Sequence, residues 1–213
     1  MTTGTTGTPL TIRWVALCSD DPREPELLVE LASRYAEPHR AYHGLAHLDA
    51  LARLYGDVER GPGWVHPAEV KLAILFHDAI YEPGRGDNEA RSAALAGERL
   101  ADWPIDLGRV QAMIHATAAH DRVDARGDPD LALFLDADMA IIGTPPAIYD
   151  AYTRGVQQEF AKIPAAMFRA GRRAFVVAQL ARASLFHTSF FRDRYDRQAR
   201  ANLERELTAL DAT

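Results

Sequence analysis

Two histidines and two aspartates, His47, the adjacent pair His77-Asp78, and Asp138, are the residues whose types and spacing could do chemistry in this chain. Imidazole nitrogen and carboxylate oxygen are ligands that borderline divalent metals accept, and a two-histidine, two-aspartate set suits a hydrolytic centre. No thiolate site competes, because Cys18 is the only cysteine. The expected cofactor is therefore a divalent metal ion, with Mn, Fe, Mg, Co, Ni and Zn all compatible with mixed nitrogen and oxygen ligation. Metal-assisted hydrolysis is the leading expectation.

These four residues must be brought together by helices. Apolar residues recur at helical spacing nearly throughout, and strict strand-like alternation is missing, so the chain reads as all-α. The spacing predicts helices over about 24–36, 44–59, 67–80, 88–101, 106–120, 129–142, 146–162, 164–187 and 193–210. Pro67, Pro145 and Pro164 suit first-turn positions, and Asp87 suits the cap of a helix starting at Asn88. Residues 1–10 are Thr/Gly-rich and read as a flexible tail, leaving 11–213 as one compact helical domain.

On such helices His47 shares a face with Leu51, Leu54 and Val58. His77 follows Ala73 and Ile74 at the same spacing, and Asp78 follows Ile74 and Leu75. Asp138 lies on the face of Phe134, Leu135, Ile141 and Ile142, whereas Asp136 stands about 200° away from it on a regular helix. Carboxylates on apolar faces are costly to bury unpaired, and a shared cation would compensate them together.

Composition narrows the partners. The chain has 213 residues, 47% hydrophobic and 25% charged, with a formal net charge of -6. That charge disfavours a groove for polymeric nucleic acid and leaves a small phosphorylated substrate as the expected partner. One cysteine excludes an intramolecular disulfide, and neither a leader nor a membrane span is legible, so a cytoplasmic location is expected with no membrane partner.

The order H...HD...D resembles the HD superfamily of metal-dependent phosphohydrolases. The resemblance extends through YHGLAHLDAL at 42–51, LFHDAIYEPGRGDNEARSA at 75–93 and FLDADMAIIG at 134–143, which look like a bacterial subgroup described only as predicted HD phosphohydrolases. It implies an HD-type helical bundle with His47, His77, Asp78 and Asp138 as metal ligands. The segment 42–47 is also similar to the YHNxxH segment of cyclic nucleotide phosphodiesterases, with Gly44 where asparagine is usual. That likeness makes His43 the candidate general acid, a residue that protonates the leaving group without binding metal.

Further candidates surround this set. Asp78 doubles as a catalytic carboxylate, and Glu89 is a candidate for proton transfer beside its simpler role of opposing a helix dipole. His120 follows Val110, Met113 and Thr117 on one face, which aims it inward toward phosphate or a second metal. Arg40, Arg172 and Arg173 are candidate phosphate clamps, because guanidinium donors match phosphate oxygens in a planar fork. The reading is a metal-dependent phosphohydrolase acting on a small phosphate ester, with a nucleotide or related metabolite as the expected substrate. Its rivals are an HD-type di-iron oxygenase and a noncatalytic nucleotide-binding or sensory HD module.

Overall fold

Proline and short polar side chains start the helices. Pro67, Pro129 and Pro146 each open one, where a missing N–H costs nothing. Asp106 and Asp128 accept the N–H groups of Arg109 and Leu131, satisfying donors that a helix start leaves free. The computed structural model describes residues 23–120 and 122–212, so the expected 1–10 tail and Cys18 lie outside the described residues.

Every regular element among the described residues is helical. In order these are α1 (Glu24–Tyr35), α2 (Leu45–Arg60), α3 (Pro67–Phe76), α4 (Asn88–Leu100), α5 (Leu107–Ala116), α6 (Pro129–Met139), α7 (Pro146–Glu159) and α8 (Ala165–Leu180). A short helix (Ser189–Phe191) then leads through a π-helical turn (Arg192–Asp196) into α9 (Arg197–Asp211). No single described helix is long and apolar enough to cross a membrane.

The centre of the bundle is α3, apolar around most of its circumference: Val70, Leu72, Ala73, Ile74, Leu75 and Phe76 are all buried. A helix of that pattern must be covered on several sides, and α2, α4, α5 and α6 pack against it. Truncating Phe76 to alanine there would cost about 3–5 kcal/mol. Helices α8 and α9 pack together, and α9 also touches the 3₁₀ turn Ala140–Gly143 that ends α6.

Several expected boundaries move, each for a visible reason. Helix α3 stops at Phe76, not near residue 80, so His77 and Asp78 sit in the turn just beyond it. There the Tyr35 hydroxyl donates to the Leu75 carbonyl (3.1 Å) and accepts the Asp78 N–H (3.2 Å), replacing helical partners. Helix α8 stops at Leu180 instead of 187, because the N–H groups of Leu185, His187 and Thr188 are taken by Asp196 and Asp136. Asp87 occupies the cap position of α4, but its carboxylate pairs with Arg85 at 2.6 Å and caps nothing. Asn88 closes that loop instead, bonding both the N–H and the carbonyl of Glu82 at 3.0 Å.

Candidate metal centre

Three elements deliver the candidate ligands. His47 comes from the first turn of α2, His77 and Asp78 from the turn after α3, and Asp138 from the last turn of α6. One ligand atom from each of His47, His77 and Asp78 lies within 4.8 Å of the others. The two Nε2 atoms are 3.1 Å apart, His77 Nε2 is 3.1 Å from Asp78 Oδ2, and Asp138 Oδ1 stands 3.2 and 3.5 Å from the His47 and His77 nitrogens. Ligands held at about 2.1 Å from one cation stand about 3.0–3.4 Å apart at neighbouring vertices. The distances of 3.1–3.5 Å match the edges of a coordination polyhedron, while His47 Nε2 and Asp78 Oδ2 are 3.9 Å apart and Asp138 lies at the two imidazoles but outside the group of three whose ligand atoms all lie within 4.8 Å of one another.

The donor chemistry fits as well. His77 Nδ1–H donates to the Ile74 carbonyl at 2.8 Å, which fixes the tautomer and aims an Nε2 lone pair at the cluster. Burial works against charge here, yet the Asp78 and Asp138 carboxylates outweigh it and hold His77 well above the ordinary imidazole range. The same ionic contacts hold both carboxyls low despite their burial, through His77 first in each case. The cluster is thus a place where positive charge is stabilised between two imidazoles and two carboxylates, a donor set that a divalent cation would suit.

His120 reaches the far side of Asp138, with its Nε2 2.7 Å from Oδ2. It orients the carboxylate whose other oxygen faces His47 and His77. Asp136, two residues earlier, points elsewhere: it accepts from the N–H groups of His187 (2.6 Å) and Thr188 (2.8 Å) and from the Thr188 hydroxyl (2.6 Å).

Beside the cluster stands a second, unforeseen unit. His43 Nδ1 is 2.7 Å from Glu159 Oε2, and Tyr81 donates its hydroxyl to the same oxygen at 2.9 Å. The other oxygen, Oε1, accepts the N–H groups of Tyr42 (2.7 Å) and His43 (2.9 Å). Burial opposes the charge on Glu159, but these bonds, His43 foremost, pull its carboxyl down to about 2. In return, burial of His43 is outweighed by its bond to Glu159 and its pKa is raised. The His43 and His47 rings are 6.1 Å apart. Glu159 ends α7, and Gly155 one turn earlier lets that helix come close, since a Cβ there would stand 3.1 Å from the Tyr42 Cβ.

The structure does not give the expected arginines free forks. Arg40 is fully enclosed: Nη1 donates to the carbonyls of His43 (3.0 Å) and Asp78 (2.7 Å), Nη2 to Ala79 (3.1 Å), and Nε to Glu37 (3.0 Å). It is a strut between the His43 loop and the Asp78 turn, not a phosphate clamp. Arg172 is paired with Glu206 at 2.7 Å and donates to the Tyr152 hydroxyl at 2.9 Å, so its fork is engaged by the protein. Arg173 pairs with Asp211 on the surface. Glu89 stands in the first turn of α4 and forms no hydrogen bond or ion pair with the cluster among the described residues, leaving the dipole as its visible role.

No family model matches this chain, and neither a curated protein nor a solved structure matches it.

Proposed function

We propose that this protein is a metal-dependent phosphohydrolase of the HD type, acting on a small phosphate ester. The observation that carries the reading is the convergence of His47, His77 and Asp78, with Asp138 3.2 and 3.5 Å from the two imidazoles and the hydrogen-bonded His43–Glu159 pair alongside. When bound, a divalent cation would lower the pKa of water and polarise a phosphoryl oxygen. The chain's own residues supply the rest. His47, His77, Asp78 and Asp138 would hold the ion, and His120 fixes the orientation of Asp138. His43, whose protonated form is favoured by its bond to Glu159, would donate a proton to the departing oxygen. Glu159 stays ionised and orients the imidazole, much as the carboxylate does in an Asp-His pair.

The di-iron alternative needs a second set of ligands on the far side of Asp138. His120 is there, but among the described residues it joins no second group of three potential ligands, so the arrangement favours one metal. A noncatalytic sensory module gives no reason for the His43–Glu159 pair. The test is a panel of phosphomonoesters and phosphodiesters with chelated and metal-restored protein. Phosphate release or diester cleavage that disappears on chelation and returns with metal is expected. Ligand binding without turnover under every divalent metal would refute the assignment.

A further inference from the structure

A cleft of about 520 Å³ opens beside the metal ligands, reaching His47 and Asp138. Its other walls are mostly apolar: Leu54, Ile141 and Ile148, with the rings of Tyr42, Tyr152 and Tyr195. Ile148 is 51% exposed at this cleft although it is a large aliphatic side chain. An exposed apolar surface running into a polar cluster is the usual make-up of a small-molecule site. The charge pattern is equally informative. Among the described residues Arg53 is the only lysine or arginine on the cleft wall, and Asp49 on the same helix stands 3.9 Å from its guanidinium, while Asp57 pairs with Arg60. The two inner arginines that could have met further phosphates, Arg40 and Arg172, have their forks engaged by the protein.

We propose that this cleft receives the organic part of the substrate, and that this part is uncharged and mainly apolar: an aryl or alkyl group carrying a single phosphate, not a nucleoside polyphosphate. The inference rests on the phosphohydrolase reading for its headgroup and on the cleft alone for its organic group. A polyphosphate carries several negative charges that need matching donors, and the wall beside the cluster offers one cation with a carboxylate next to it. An apolar ring would instead lie between the aliphatic wall and the tyrosine rings, close to the metal ligands. The Tyr42 ring packs 5.1 Å from that of His47 and 4.6 Å from that of Tyr152. Its hydroxyl has no hydrogen-bond partner among the described residues. That hydroxyl is the polar contact available to the ester oxygen.

The experiment has two arms. Fluorescence titration of 2-naphthol into metal-free protein probes the cleft without the metal, and calorimetry of methylphosphonate, benzylphosphonate and 3-phosphonopropionate with metal-loaded protein probes headgroup and organic group together. Benzylphosphonate should bind about tenfold or more tighter than methylphosphonate, with 3-phosphonopropionate weaker than benzylphosphonate. Ile148→Asn, a neutral polar change at an exposed position, should weaken 2-naphthol and benzylphosphonate by about tenfold while leaving methylphosphonate unchanged. Absent 2-naphthol binding, an unaltered Ile148→Asn variant, or 3-phosphonopropionate binding as tightly as benzylphosphonate overturns the apolar assignment. Binding of 2-naphthol with no phosphonate binding overturns instead the phosphate-ester reading on which the headgroup rests, and the substrate class falls with it.

Discussion

Replacing Glu159 by glutamine keeps the shape of the side chain and removes the charge that gathers Tyr42, His43 and Tyr81. The carboxylate accepts four hydrogen bonds of 2.7–2.9 Å and its side chain is fully enclosed. A glutamine amide must turn its NH₂ toward one pair of those donors, so two charge-assisted bonds are lost, each contributing about 1.5 kcal/mol or more. Linkage gives a similar figure: a carboxyl lowered from 4.5 to about 2 contributes roughly 3 kcal/mol. Because the folded-state value is the lower one, this stabilisation is fully present above the unfolded value of 4.5 and is lost as pH falls toward 2. At neutral pH Glu159→Gln should therefore lower Tm by about 6–12 °C, taking about 2–4 °C per kcal/mol for a chain of this size. Thermal melts at a series of pH values measure it, and the gap between wild type and variant should narrow below about pH 4.5. A variant melting within about one degree of wild type at neutral pH, or a gap that does not narrow in acid, would show that the carboxylate does not carry this load.

Other expectations follow from the same geometry. His43→Ala should keep its metal and lose about 10²–10⁴ in turnover on esters with poor leaving groups, with a smaller loss on activated ones; equal losses on both would argue against proton donation. Asp138→Asn should lose metal, whereas Asp136→Asn should keep it and lose about 1–3 kcal/mol of stability in urea melts, since an amide now faces the donors of His187 and Thr188; the reverse pattern would contradict the ligand assignment. Arg40→Lys should behave much like Arg40→Ala in urea melts, each costing about 3 kcal/mol, because a point charge cannot bridge three carbonyls on two segments. Full retention of stability in the lysine variant would refute the strut.

What the sequence made legible was whatever a single helix face can encode. His47 with Leu51 and Val58, and Asp138 with Phe134 and Leu135, repeat at helical spacing, so their inward direction followed from periodicity, and the angle between Asp136 and Asp138 separated two neighbouring carboxylates. Relations between elements were not encoded that way. Glu159 meets His43 across 116 residues of sequence, and the only local hint is Gly155 one turn before it on α7, a small residue where a helix comes close to another segment. Arg40 looked like a free guanidinium because its acceptors are backbone carbonyls of His43, Asp78 and Ala79, which carry no side-chain signature. The end of α3 was hidden for a related reason. Apolar spacing continues through Ala79 and Ile80, while the helix is ended by a tertiary contact, the Tyr35 hydroxyl inserted between Leu75 and Asp78.

The most direct test of the central claim is elemental analysis of the untreated protein beside folded His77→Ala and Asp138→Asn variants. About one equivalent of a divalent metal in the wild type, removed by chelation and absent from both variants, is the result predicted by ligands standing one coordination edge apart. A folded wild type that takes up no divalent metal on add-back, or variants that retain it in full, would contradict the account.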